Sequence, residues 1–317
     1  MVKILVIGEL CVDRFVYCEI KRLCPEAPVP VLNPIQTTTN NGMAGNVVEN
    51  LKTLLPEGDI VHWYQHNKIE KTRYVEKKSN QMITRVDEGE LQPCESLNFL
   101  SPKQKKTIME SDVVIISDYN KGYVSEQMIR DISKISRLSI LDTKKKLSWD
   151  IIENISFVKQ NEIEYNNNKN LVDKHPDKFI ITLGSKGAMY MSDIYRSPKP
   201  QDTIDVSGAG DTFVASFVSY YIKTNDLVQS ISFANEVCSD VVSKKGVSLP
   251  DKKFKISFWL FFLDILFLTY PLNSVIFYNF PQVCPTLLME HYFHMLRDIY
   301  PQPPQLLSWL FLKVSQL

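Results

Sequence analysis

The sequence has no surplus of either charge: 36 Lys and Arg stand against 36 Asp and Glu, for a formal net charge of zero. The broad basic field of a nucleic-acid binder is absent, and no nucleic-acid partner is expected. The six cysteines, at 11, 18, 24, 94, 238 and 284, show no CxxC or finger spacing. That argues against structural zinc and a dense disulfide scaffold, and favours reduced thiols in a cytoplasmic protein. The opening residues MVKILVIGEL lack the successive regions of a secretory signal and read instead as a strand. His62 and His66, like His291 and His294, have no acidic companion in the pattern, so no metal site is expected there. No motif supports a Ser–His–Asp or Cys–His arrangement. An apolar content of 44% with 23% charged residues excludes a disordered chain.

Residues 256–317 lack what the rest has. They hold no glycine and only five charged residues (Asp264, Glu290, Arg297, Asp298 and Lys313), yet 14 of the 34 aromatics and 6 of the 17 prolines. This break divides the chain into a body, 1–250, and an apolar, aromatic-rich tail, 251–317. Ile256–Tyr278 has the length of a membrane span, but Asp264, Pro271 and Asn273 interrupt it. A central Asp costs about 2.5–3.5 kcal/mol on insertion scales, so a span is the least favoured reading. A tail docked on the body or a partner, and a poorly structured or aberrant end, stay open.

The body alternates strand and helix signals. Val2–Ile7, Asp112–Ser117, Leu138–Leu141, Ser156–Lys159 and Lys178–Leu183 read as short buried strands. Gly45–Leu55, Glu126–Ile135, Asp211–Ile222 and Leu227–Ser243 read as helices. Such alternation predicts a mostly parallel sheet covered on both faces, an α/β fold. Thr72–Asp87 differs: two polar-alternating strands around a Lys77–Gln81 turn predict a small antiparallel flap.

The strongest chemical signal is Asp205-Val-Ser-Gly-Ala-Gly-Asp211, directly before an apolar helix. Gly208 and Gly210 let backbone N–H groups converge, and helix-terminal amides there would hold a phosphate. Asp211 opposes an anion electrostatically, but it is suited to take a proton from a hydroxyl that attacks the phosphate. The bland alternative is a glycine turn followed by a first-turn acid favoured by the helix dipole.

Asp205–Phe213 (DVSGAGDTF) closely resembles the second signature of the PfkB/ribokinase-like sugar kinases, DxTGAGD. Further segments agree in order. Gly8–Arg14 resembles that family's opening strand with its substrate-contacting Asp. Cys24–Pro30 (CPEAPVP) and Ser117–Gly122 (SDYNKG) are similar to segments of one branch, the bacterial heptose-7-phosphate kinases. Leu141–Lys144 resembles that branch's DPK, Asn161–Glu164 the family's NxxE, and Thr182–Gly187 its TxGxxG. The resemblance covers about 1–250. It implies a ribokinase-like three-layer sandwich and transfer of the ATP γ-phosphoryl group to a sugar hydroxyl, with heptose 7-phosphate at C1 as substrate. A kinase for another sugar or nucleoside, and a non-catalytic ATP- or sugar-binding descendant, are the alternatives.

The same resemblance implies residue roles. Asp211 would be the catalytic base, and Gly208, Ala209 and Gly210 the anion hole. Asn161, Glu162, Ile163, Glu164, Thr182, Gly184, Gly187 and Asn235 would lie on the ATP side. Glu164 would hold Mg2+ through water, and Asp205 would help a monovalent-cation loop of the kind that takes K+. Asp13, Gly42 and Asn46 would line the sugar site, with Lys121 and Lys144 toward a sugar phosphate. Asp118 and Asp142 read equally as functional groups or loop caps, and Arg85 as an exposed ion pair. The flap implies a homodimer, as in some relatives. Three departures stand out. Met43-Ala44 interrupts the glycine pair of the GGxxN segment; 55–71 is shortened; and the closing elements after Lys245–Pro250 are not recognisable. Glu9 replaces the Asp frequent after the first Gly, and no nucleotidyltransferase HxGH signature occurs in 251–317.

Overall fold

Short apolar runs leave no polar face for water, so the strands they form need cover on both sides. The computed structural model describes residues 1–256 apart from 93, 95, 199–205 and 245–247. In chain order, β1 (Lys3–Gly8) leads into two long strands, β2 (Leu10–Leu23) and β3 (Pro30–Met43), and then helix α1 (Ala44–Leu54). Strands β4 (Asp59–Trp63), β5 (Glu70–Glu76) and β6 (Met82–Glu88) follow with no helix between them. Next come α2 (Pro102–Glu110), β7 (Val113–Asp118), α3 (Glu126–Ile135), β8 (Ser139–Thr143), α4 (Trp149–Ile152), β9 (Phe157–Asn161) and α5 (Glu162–Lys174). Strands β10 (Phe179–Thr182), β11 (Ala188–Tyr190) and β12 (Asp193–Tyr195) precede α6 (Ala209–Thr224) and α7 (Leu227–Val242).

The main sheet has the order β12-β11-β10-β9-β8-β7-β1-β4. From β4 to β10 all neighbours are parallel, and β11 and β12 add antiparallel at the far edge. One face buries Leu5, Ile7, Val114, Ile116, Leu141 and Val158 against Ile108 of α2, Met128 and Ile132 of α3 and Ile152 of α4. Each such side chain contributes about 1.5–3 kcal/mol relative to exposure. Helices α1, α6 and α7 cover the opposite face, where Phe157 meets Phe217 and Tyr221 of α6 edge-on at 5.6 and 5.3 Å. The three-layer α/β sandwich expected from the sequence is the observed fold. The shortened 55–71 segment keeps one parallel strand, β4, at the sheet edge.

The flap is larger than the sequence suggested. It is a four-stranded sheet, β3-β2-β5-β6. Strands β2/β3 and β5/β6 pair antiparallel, while β2 and β5 run parallel, which makes the sheet mixed. At its root β3 passes into α1 without a loop: Met43 is the helix N-cap at φ 55° and ψ −137°, a positive-φ conformation uncommon for Met. Among the described residues no helix is long and apolar enough to cross a membrane. The readings for the tail beyond residue 256 fall outside the described residues, as does Asp205.

Candidate active site

In a parallel sheet the loops at strand C-termini gather on one edge, and there a site forms. Here β1 ends at Gly8, β7 at Asp118, β8 at Thr143, β9 at Asn161 and β10 at Thr182. A cleft of about 500 Å3 lies over these ends, with Asp142, Lys144, Asn161, Thr182, Gly208 and Asp211 in its wall.

Helix α6 supplies its mouth. Gly208 is the N-cap at φ 78°, the left-handed turn that glycine adopts without Cβ strain, and Ala209 and Gly210 open the helix. The leading N–H groups of a helix lack intrahelical acceptors, so this turn suits an anion. At Gly210 a Cβ would lie 2.8 Å from the Lys159 ammonium, so the backbone of this turn abuts a buried cation. Asp211 stands in the first turn and is buried. The Tyr119 hydroxyl donates to its Oδ1 at 2.6 Å, and the Asn46 amide to its Oδ2 at 3.0 Å. Asn50 in turn donates to Asn46 Oδ1 at 3.1 Å and accepts from the Thr212 hydroxyl at 3.0 Å, so the donors are themselves held. Burial pushes the Asp211 carboxyl from 3.8 up to about 6, against the hydrogen bonds from Tyr119 and Asn46; the negative charge of Asp142 adds to the rise and the Lys159 cation opposes it. Near neutral pH the group is a carboxylate poised to take a proton.

Lys159 is a residue the sequence did not single out. It is fully buried and meets Asp142 Oδ2 at 3.0 Å. Burial lowers its proton affinity, but Asp142, Glu164 and Asp211 outweigh that and leave it raised, hence a cation. Asp142 Oδ1 is buried with no hydrogen-bond partner among the described residues. Asn161 and Glu164 form a reciprocal capping box at the start of α5: Glu164 N–H donates to Asn161 Oδ1 at 2.9 Å and Asn161 N–H to Glu164 Oε2 at 2.8 Å. The Lys144 ammonium also bonds Glu164 Oε1. Lys144 thus stands on the same side of the cleft as Asn161, Glu162, Ile163, Thr182 and Gly184.

Other expected residues gather elsewhere. Asp13 of β2 is buried and ion-paired with Arg73 of β5. Gly42 of β3 faces it so closely that a Cβ would sit 2.1 Å from Asp13 Oδ2. Cys11 lies beside both, and its thiol is pushed up to about 12 by burial and then by the charge of Asp13, with Asp211 a further contributor. The expected sugar-side acid and the expected base therefore act on one shared neighbour. Lys121 meets Glu90 at 2.8 Å, and Glu90 also takes Lys71 at 2.8 Å. Asp118 acts as a loop cap: it accepts from the Thr143 hydroxyl and, at 2.9 Å, from Asn120 N–H, and pairs with Lys145. Arg85 pairs with Asp87 at 2.7 Å. Gly187 turns the chain from β10 to β11. Asn235 spends its amide on the Tyr195 carbonyl at 2.8 Å and does not line the cleft. Glu9, noted in the sequence only as a departure, accepts backbone N–H bonds from Tyr119, Lys121 and Tyr123 at 2.8, 3.0 and 3.2 Å.

No group of three His, Cys, Asp or Glu side chains among the described residues could cage a metal. The unpartnered Asp142 oxygen nonetheless fits a hard cation that arrives with phosphate ligands and keeps several waters; Glu164, whose oxygens already accept from Lys144 and Asn161, would meet such a cation through its waters.

Residues 148–253, which contain Lys159, the capping box and the α6 turn, match the model of the pfkB family of carbohydrate kinases. Over that part of its length the chain resembles the pfkB family of carbohydrate kinases. Its relatives include Bifunctional protein HldE of Helicobacter pylori strain J99, 30% identical over 303 aligned positions that take up 78% of this chain. The HldE of a Nitratiruptor species is 27% identical over 293 positions and again 78% of this chain. The match spans 64% and 62% of these relatives' lengths. Solved structures of similar fold include Arabidopsis thaliana ribokinase complexed with ribose and ATP, at TM-score 0.60 and 16% identity, covering 81% of this chain and 100% of that one. Escherichia coli phosphofructokinase-2 in complex with potassium aligns at TM-score 0.61 and 14% identity, covering 80% and 97%. At those identities the likeness speaks for the fold.

Proposed function

We propose that this chain is a pfkB-type, ATP-dependent sugar kinase that transfers the γ-phosphoryl group to a hydroxyl of a sugar phosphate, heptose 7-phosphate at C1. The observation that carries the reading is Asp211: a buried carboxylate, held at both oxygens, in the first turn of the helix whose leading amides open on the cleft. The acceptor hydroxyl gives its proton to Asp211 as its oxygen bonds to phosphorus, and ADP leaves with the electrons of the broken P–O bond. The backbone of Gly208, Ala209 and Gly210, with the Lys159 cation behind Gly210, stabilises the charge on the phosphoryl oxygens. Magnesium supplied with ATP neutralises phosphate charge; Asn161 and Glu164 would hold its waters. A potassium requirement belongs to the same reading; Asp205, expected to serve it, lies outside the described residues.

On the sugar side, Asp13 and Gly42 at the flap root meet the acceptor, and Asn46 links that side to the base. The HldE relatives favour the heptose-phosphate substrate. Lys121 suits the distal phosphate, while Lys144, seated on Glu164, suits the nucleotide side. The exposed edge strands β3 and β6 of the flap suit pairing between two copies, and the free cysteines suit a cytoplasmic location.

The test is ADP release from Mg-ATP across sugar 7-phosphates, hexoses, hexose phosphates and nucleosides, with Asp211→Asn alongside. Turnover with one acceptor, reduced about 10²–10⁴-fold in the variant with ATP still bound, supports the reading. A folded, ATP-binding chain with no turnover for any acceptor overturns it in favour of a non-catalytic descendant. That alternative draws on the shortened 55–71 segment and on Met43-Ala44 in place of an uninterrupted glycine pair.

A further inference from the structure

We propose that Tyr119 is a positioning residue for Asp211: its hydroxyl clamps one carboxylate oxygen, keeping the group ionised and its remaining lone pairs turned to the acceptor hydroxyl. The inference rests on the reading of Asp211 as the base. The clamp is the shorter of the two Asp211 bonds, 2.6 Å against 3.0 Å from Asn46. Three features fix the phenol in place. Glu9 ties down the backbone N–H groups of Tyr119, Lys121 and Tyr123. The ring packs against Cys11, Met43 and Ile69 at the flap root. The Lys144 ammonium lies 5.8 Å from the ring centroid, within reach of its face.

The hydroxyl is a donor and not a rival base. Burial, then the charges of Asp211 and Asp142, hold the phenol well above its ordinary range, so it keeps its proton throughout. The other charged groups facing Asp211 are Asp142 from β8 and Lys159 from β9; Cys11 of β2 and Lys144 complete the titratable neighbours. None of these hydrogen-bonds Asp211, so Tyr119 is the titratable side chain that does.

The test compares wild type, Tyr119→Phe and a full chain carrying 3-fluorotyrosine at 119, a stronger donor. The Asp211 carboxyl is titrated by ¹³C NMR, with Asp211→Asn to assign the signal. A hydrogen bond to a charged group contributes enough that its loss should raise the Asp211 midpoint by about one pH unit or more, and fluorination should lower it. In turnover, the acidic limb of the kcat profile should rise with the midpoint in Tyr119→Phe while KM for ATP holds. A midpoint unmoved in both substituted chains overturns the proposal, as does a lowered kcat with an unmoved limb. The NMR titration needs no turnover: a wild-type chain that moves no phosphate but shows both midpoint shifts keeps the clamp and refutes the kinase reading alone.

Discussion

Replacing Asp211 with Asn should make the fold more stable at neutral pH while it removes transfer. The folded carboxyl sits at about 6 against 3.8 for an ordinary aspartate. A raised carboxyl binds its proton more tightly in the folded state, so its favourable contribution is complete below 3.8 and is lost as pH rises through about 6. The gap corresponds to about 3 kcal/mol of destabilisation by the ionised, buried group at pH 7.5. Asparagine avoids that cost and still accepts from Tyr119. It turns an amide toward Asn46, however, and the lost bond returns about 1 kcal/mol of the gain. The expected net is about 2 kcal/mol in favour of Asp211→Asn at pH 7.5. The difference should shrink as pH falls through 6 and change sign, to about 0.5 kcal/mol in favour of wild type near pH 4 and about 1 kcal/mol near pH 3. Urea unfolding followed by far-UV circular dichroism at several pH values measures it. A variant less stable than wild type at pH 7.5, or a difference that does not vary with pH, would refute the reasoning.

Two further substitutions separate the two sides of the cleft. Gly42→Ala places a Cβ 2.1 Å from Asp13 Oδ2, so KM for the sugar should rise at least tenfold while KM for ATP stays put, at a stability cost of about 1–3 kcal/mol; equal effects on both KM values would count against Asp13 as a sugar contact. Glu164→Gln keeps the capping box, because glutamine serves at that position, but gives up the charge that Lys144 meets. Unfolding should change by less than about 1 kcal/mol while the magnesium needed for half-maximal rate rises several-fold; a large stability loss with unchanged magnesium dependence would leave Glu164 a cap alone.

The main sheet was legible because DVVIIS and KFIITL leave no polar alternation, and only burial on both faces accommodates them. The β5/β6 hairpin of the flap was legible, but the β2/β3 hairpin was not: β3 reads PVLNPIQTTTNNGM, mostly exposed and broken by Pro34, a composition that also suits a loop. Asp211, Asn46 and Gly42 came from motif resemblance, and the structure brings Asn46 onto Asp211 and Gly42 onto Asp13. Tyr119 and Glu9 lay inside recognised segments but had no signal of their own. Their partners are 92 and 110 positions away in the chain, a closeness that only the sheet order creates. Lys159 read as one residue of a short strand; its burial against Asp142 depends on the parallel register of β8 and β9. Asn161 and Glu164, expected on the ATP side, are seen as the reciprocal cap of α5.

The seamless junction at Met43 has an engineering consequence. Gly42 at the flap root and Asn46 on the base belong to one unbroken strand-to-helix lever, with no loop to absorb a shift. On the proposed kinase reading, acceptor choice and proton-transfer alignment are then geared together. Libraries built in β3 to broaden the range of acceptors should drag the pH optimum with them, and selections for a new sugar should recover second changes at Asn46, Asn50 or Thr212 that bring the two back into step.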